Sequence, residues 1–128
     1  MPLRVYIEDT DAGGIVYYVN YLKYFERART ELMRSRGFAR AALPADNLQF
    51  VVSELRVDYR VPAQLDDLLD VSARVTAVGG ATVSFEQKAQ RGATLLAIAD
   101  VTIALVDALT GRPRRLPSAL RQSLVDNP

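Results

Sequence analysis

One long stretch of helical periodicity, followed by strand alternation that persists almost to the end, limits this chain to few architectures. From Asn20 onward, Tyr21, Phe25, Ala28 and Leu32 recur at spacings of four, three and four, which places them on one helical stripe. Leu22 and Met33 widen the stripe. Asn20 suits an N-cap, and Gly37, following Arg34 and Arg36, suits a helix stop. The expected helix covers 20–36, with Arg27 and Glu31 spaced to pair on its outer side.

Strand patterns surround that helix. Residues 3–7 (LRVYI) read as a short first strand. Residues 38–47 (FARAALPADN) read as a connection with one helical turn before Pro44. Residues 54–61 alternate cleanly, with Leu55, Val57, Tyr59 and Val61 against Glu54, Arg56, Asp58 and Arg60. Residues 68–78 put Val71, Ala73, Val75 and Ala77 on one side, and Gly79-Gly80 marks a hairpin. Residues 82–90 alternate again, Arg91-Gly92 turns the chain, and 94–107 form a long strand apolar on both faces near its middle. Residues 117–124 suit a short closing helix. Consecutive hairpins imply a mostly antiparallel sheet, and one helix can cover one of its faces. The expected fold is α+β, with one long helix packed against a five-stranded sheet. Such a sheet leaves edges and part of a face open, and a second copy related by a two-fold axis is the economical cover.

Composition narrows the chemistry. At 128 residues, 49% hydrophobic and 24% charged, the chain fits one domain with a real core. A net charge of +1 gives no basic concentration of the kind nucleic-acid binding needs. No apolar run is long enough to span a membrane, and MPLRVYIEDTD meets acids too early for a signal peptide, so a cytoplasmic location is expected. There is no cysteine and no histidine. Disulfides, thiolate metal sites, His-ligated metals and Ser-His-Asp or Cys-His machinery are therefore excluded. Any acid–base chemistry must fall to carboxylates, Tyr, Lys or backbone groups.

The stretch Glu8–Tyr18, EDTDAGGIVYY, concentrates what remains. Asp11 precedes a Gly13-Gly14 pair, which permits a sharp turn and close approach of another molecule. A few residues later the helix begins, with unpaired N–H groups and the positive end of its dipole. A carboxylate beside free N–H donors suits acyl transfer: the donors stabilise an oxyanion while the carboxylate attacks the carbonyl or deprotonates water. Asp9 and Asp11 equally suit simple turn capping, and on composition and spacing alone that plainer reading leads.

The run from Glu8 to Tyr21 follows D-x-D-x-x-G-x-V-Y/F-x-x-x-Y and continues with Phe25-Glu26-Arg27-Ala28-Arg29. In this it resembles the hotdog-fold acyl-CoA thioesterases, in the branch of 4-hydroxybenzoyl-CoA thioesterase and the YbgC-like, Tol-Pal-associated enzymes. The likeness continues through Asp58-Tyr59-Arg60, Pro62-Ala63, Leu65-Asp66-Asp67 and Gly111-Arg112-Pro113, and so covers nearly all of residues 1–128. It implies one hotdog domain whose subunits join their sheets into dimers, which often pair into tetramers. It also implies that Asp11 is the catalytic carboxylate, as nucleophile or general base, and that the Tyr18 backbone N–H polarises the thioester carbonyl. Gly13, Gly14 and Tyr17 would contact the substrate. No cofactor or metal is implied, since CoA arrives as part of the substrate. Many YbgC-like members carry His at the position of Tyr18, whereas the 4-hydroxybenzoyl branch carries Tyr. A backbone N–H survives either choice, but a phenol cannot imitate a near-neutral imidazole. Asp9 is expected to be a turn or helix-entry partner, and Glu26 with Arg29 a structural ion pair. Arg60, Lys88, Arg91 and Arg112 to Arg115 are surface charges of a kind that suits phosphates.

Two alternatives stand beside hydrolysis. A hotdog hydratase resembles an Asp-His or His-Glu enzyme, and this chain has no histidine. A non-catalytic acyl-binding protein or acyl-carrier-protein partner would keep the fold without turnover.

Overall fold

A computed structural model describes residues 1–38 and 47–126; the turn expected before Pro44 lies outside them. The helical stripe forms α1, Val19–Ser35, which buries Tyr21, Tyr24, Phe25, Ala28, Arg29 and Met33. Its N-cap is Tyr18, not Asn20, and no side chain caps it. Asn20 sits inside the first turn, and its side-chain amide donates backward to the Asp9 carbonyl at 2.8 Å. The stop is as expected: Gly37 takes φ +81°, and Phe38 N–H closes on Met33 O at 2.9 Å. Glu31 pairs with Arg34, one turn on, instead of Arg27.

Five strands form one antiparallel sheet: β1 (Pro2–Arg4), β2 (Leu48–Tyr59), β3 (Leu68–Val78), β4 (Thr82–Arg91) and β5 (Thr94–Asp107). Their spatial order is β1-β3-β4-β5-β2. The first strand is shorter than expected because the chain turns at Ile7–Asp9 into a single 3₁₀ turn. The second begins six residues earlier than its alternation suggested. A bulge between Val52 and Glu54 explains this: one extra residue reverses the phase, so Leu48, Phe50 and Val57 all meet the core despite their odd spacing. A second bulge between Val75 and Ala77 turns Ala77 outward, and Val78 takes the core position instead.

Only β3-β4-β5 is a run of hairpins. The segment after β2 crosses the sheet, so β2 pairs with β5 at one edge while β1 and β3 lie at the other. A second helix, α2 (Ser118–Asp126), inserts Leu120 and Leu124, both fully buried. On the face away from α1, β5 is less apolar than its sequence suggested, because Asp100 stands exposed there among the half-buried Ile98, Thr102 and Ala104. Asp100 sits in a charged cross-strand row with Arg56, Glu86 and Arg74. The uncovered apolar surface lies instead on β2, where Val51, Val52, Leu55 and Tyr59 are exposed.

Within the core, Arg29 is tied to Gln87 and forms no ion pair with Glu26. Its guanidinium donates to Gln87 Oε1 at 2.9 Å, and Gln87 Nε2 donates to the Phe25 carbonyl at 2.8 Å. Gln87 is fully buried, so the sheet and α1 share one polar link through their packed faces. Burial lowers the Arg29 pKa, opposed by the field of Glu26. Removing Gln87 would strand a buried cation, whereas removing both partners would not. Gln87→Leu is expected to cost about 2–4 kcal/mol in urea unfolding, and Arg29→Met/Gln87→Leu to recover more than half of it.

Candidate active site

Asp11 heads a tight turn. Its carboxylate Oδ1 accepts the Gly13 N–H at 2.8 Å, and its carbonyl accepts the Gly14 N–H at 3.1 Å. The Asp11 N–H in turn donates to Ile15 O at 2.9 Å, and Thr10 bridges Val16 below the turn. Each glycine has its own reason. Gly14 holds φ +79°, a backbone that L side chains resist. A Cβ on Gly13 would press to 3.3 Å from Asp11 Oδ1. The carboxylate itself is exposed. Among the described residues it is fixed by one backbone bond, and its second oxygen, Oδ2, has no hydrogen bond.

The turn is tied directly to the start of α1. The Asp9 carbonyl accepts both Tyr17 N–H at 3.0 Å and Asn20 Nδ2 at 2.8 Å. Asp9's carboxylate accepts the Tyr6 N–H at 3.0 Å, so it is a turn and helix-entry partner as expected. Beyond this tie, the N–H groups of Tyr18 and Val19 meet no acceptor among the described residues. Asn20 N–H bonds to Tyr17 O at 2.8 Å and Tyr21 N–H to Tyr18 O at 3.3 Å. Two adjacent amides at the positive end of a 17-residue helix thus have no hydrogen-bond acceptor among the described residues.

A chain of tyrosine rings links the helix entry to β2. Tyr17 and Tyr18 lie 4.9 Å apart between centroids, Tyr18 and Tyr59 6.1 Å, and Tyr59 and Tyr21 5.5 Å. Tyr17, Tyr18 and Tyr59 remain about half exposed, so their rings form an accessible apolar wall. Tyr21 is buried and structural: its hydroxyl accepts the Ala63 N–H at 2.8 Å. The Tyr59 hydroxyl donates to the Tyr18 carbonyl at 3.2 Å. Neither tie was visible in the pattern, although Tyr21 and Tyr59 both fall within its quoted segments.

The crossing segment after β2 braces the turn from the other side. Val16 N–H donates to Ala63 O at 2.8 Å, and Leu65 N–H to Gly14 O at 3.2 Å. Asp67 fastens this segment, accepting Arg91 at 2.8 Å and the Gln64 N–H at 2.8 Å. Partial burial works to raise its pKa, but the Gln64 amide and the Arg91 guanidinium outweigh that and hold the carboxyl below its ordinary 3.8. Arg91 is therefore committed to the fold, as is Arg60 to Asp58 and Arg114 to Asp107. Arg112 and Arg115 are the members of the expected phosphate-binding set whose side chains have no partner among the described residues.

The sequence-predicted Asp11, Gly13, Gly14, Tyr17 and Tyr18 fall in one continuous loop leading into α1. The pieces that orient them, Asn20, Tyr59, Ala63 and Asp67, come from the helix, an edge strand and a crossing loop. A carboxyl depressed in the folded state stabilises above its unfolded pKa and loses that contribution as pH falls through the folded one. The stability difference between wild type and Asp67→Asn should therefore be full at pH 7 and shrink below about pH 4; urea titrations across that range check it. Gly14→Ala should cost about 1 kcal/mol or more in the same assay, because Ala resists positive φ.

The thioesterase superfamily model matches residues 13–98, beginning two residues after Asp11. An acyl-CoA thioesterase YbgC from Haemophilus influenzae is 47% identical over 121 residues, covering 94% of this chain and 89% of its own. The acyl-CoA thioester hydrolase YbgC of Escherichia coli O157:H7 is 43% identical over 120 residues, covering 93% and 90%. Among solved structures, a probable thioesterase from Bartonella henselae superimposes with TM-score 0.86 at 40% identity, over 91% of this chain and 97% of that one. A curled antiparallel sheet packed on a central helix, with a matching family model and relatives aligned along almost their full length, makes this chain a member of the hotdog-fold thioesterase superfamily.

Proposed function

We propose that the protein hydrolyses acyl-CoA thioesters to free acid and CoA. The observation that carries this reading is the pairing of Asp11, held by the Gly13 amide, with the unpartnered Tyr18 and Val19 amides one short loop away. The similarity to proteins named as acyl-CoA thioester hydrolases supports the substrate class. The thioester carbonyl oxygen would accept the Tyr18 N–H as it gains charge. Asp11 then acts in one of two ways. As nucleophile, its free oxygen attacks the carbonyl carbon, the C–S bond breaks, and the CoA thiolate leaves and takes a proton. Water then cleaves the acyl anhydride. As general base, Asp11 takes a proton from water, whose hydroxide attacks instead, and the same C–S bond breaks. Gly13 and Gly14 leave room for the thioester, and Tyr17 walls the acyl group.

The partner side of the reading rests on β2. It is a 12-residue edge strand whose outer side no strand pairs among the described residues, and it exposes Val51, Val52 and Leu55. Such an edge invites pairing. A second copy related by a two-fold axis would continue the sheet there. Acyl-carrier protein is the other candidate acyl donor. Light scattering at micromolar concentration should give at least twice the 14.1 kDa chain mass. A monomer contradicts the pairing.

Activity is tested by free-thiol release from acetyl-, butyryl-, hexanoyl-, palmitoyl- and benzoyl-CoA. The chain has no thiol of its own to add to the signal. Asp11→Asn is expected to lower kcat by about 10²-fold or more while leaving unfolding within about 0.5 kcal/mol, since the side chain is exposed. Turnover unaffected by that substitution would overturn the mechanism. No turnover on any thioester would favour the non-catalytic acyl-binding reading.

A further inference from the structure

The Tyr18 carbonyl receives a hydrogen bond from far along the chain. Tyr59, on β2, donates its hydroxyl to that oxygen at 3.2 Å across 41 residues of sequence. The same carbonyl also accepts Tyr21 N–H at 3.3 Å. Because a peptide unit is planar, holding this oxygen fixes the direction of the N–H on its other side, which is that of Val19. The preceding unit is held in the same manner, with Tyr17 O bound by Asn20 N–H at 2.8 Å, which fixes the Tyr18 N–H. An accepted bond at the carbonyl also polarises the amide and strengthens its donor. Among the described residues that hold these two peptides, Tyr59 alone comes from outside the helix and its entry.

We propose that Tyr59 is a positioning residue for catalysis: through the Tyr18 carbonyl its hydroxyl aims the Val19 amide, the second donor at the helix start beside the Tyr18 N–H, at the developing oxyanion. This rests on the thioesterase reading above. The ring has the packing for the task, held between Tyr18 at 6.1 Å and Tyr21 at 5.5 Å. Its hydroxyl stays protonated through any ordinary assay, because burial first, and then Tyr18 and Tyr21, push its pKa up. Asp58 and Arg60, its neighbours in sequence, pair with each other at 3.1 Å. Tyr59 also belongs to the edge strand β2, so whatever seats that strand seats the donor as well.

Tyr59→Phe keeps the ring and removes only the hydroxyl. It is expected to lower kcat about tenfold with KM within about twofold, the mark of an interaction that matters in the transition state. In ¹H–¹⁵N spectra the Val19 amide should move upfield as its peptide loses a polarising partner. Incorporating 3-fluorotyrosine at position 59 retains the hydroxyl and strengthens it as a donor. It should keep kcat at or above the wild-type value, so the effect of Phe is not one of packing. An unchanged kcat in Tyr59→Phe, a change confined to KM, or an equal loss with 3-fluorotyrosine would each overturn the proposal while Asp11-dependent turnover of the wild type stands. Wild-type turnover that does not depend on Asp11 would overturn the thioesterase mechanism and this inference together.

Discussion

Ala63 is completely buried and uses both of its peptide groups on the helix entry: its N–H meets the Tyr21 hydroxyl and its carbonyl meets the Val16 N–H, each at 2.8 Å. Around it, the crossing loop fastens three otherwise separate parts. Leu65 holds the Asp11 turn at Gly14, Asp66 and Asp67 exchange backbone bonds with Val5, and Asp67 reaches Arg91 in the hairpin between β4 and β5. A surface turn of small polar residues has little reason of its own to hold one shape. Here it is clamped between a buried strand junction and the first turn of a 17-residue helix. A carboxylate can then be exposed and still stand at a fixed place relative to the helix dipole, which is what preorganised charge stabilisation requires.

The absence of histidine shapes everything chemical about the site. The site offers a carboxylate and backbone donors. Such a site favours a substrate whose leaving group needs little proton assistance. A thiolate fits that description better than an alkoxide or an amine, since its conjugate acid has a pKa near ~8.5 in the cysteine reference. The tyrosine wall of Tyr17, Tyr18 and Tyr59 adds half-exposed apolar area.

Much of this was legible in the residues. The helix and the hairpins flanking β4 followed from periodicity and from Gly37, Gly79 and Gly92, whereas Asp11 before two glycines read first as a plain turn and took on a chemical reading only through the family resemblance. What failed to show was long-range. A bulge costs one residue and reverses a face, so the β2 pattern seemed to start at Glu54, and Ala77 seemed to face the core. Strand order was hidden because, of the residues crossing the sheet, Arg60 and Val61 read as the end of a strand and Leu65-Asp66-Asp67 as a polar turn. Asn20 read as a cap because its type suits one, yet its amide is drawn backward by the Asp9 carbonyl, a contact between loop and helix that no local preference encodes. Glu26 and Arg29 read as a pair from their charges, while the sheet offered Gln87 at 2.9 Å. The motif thus marked the atoms that could do chemistry, and tertiary packing supplied the groups that hold them.

The central claim is that a thioester carbonyl is received by the amides at the start of α1, beside Asp11. Its most direct test is a ¹H–¹⁵N titration with an acyl-CoA ketone, in which a methylene replaces the thioester sulfur and hydrolysis cannot occur. The account predicts saturable shifts that are largest at the Gly13, Gly14, Tyr18 and Val19 amides, with the last two moving downfield as they donate to the ketone. Saturable binding that leaves these four amides unmoved, with the largest shifts on the face of the sheet away from α1 or around α2, would contradict it.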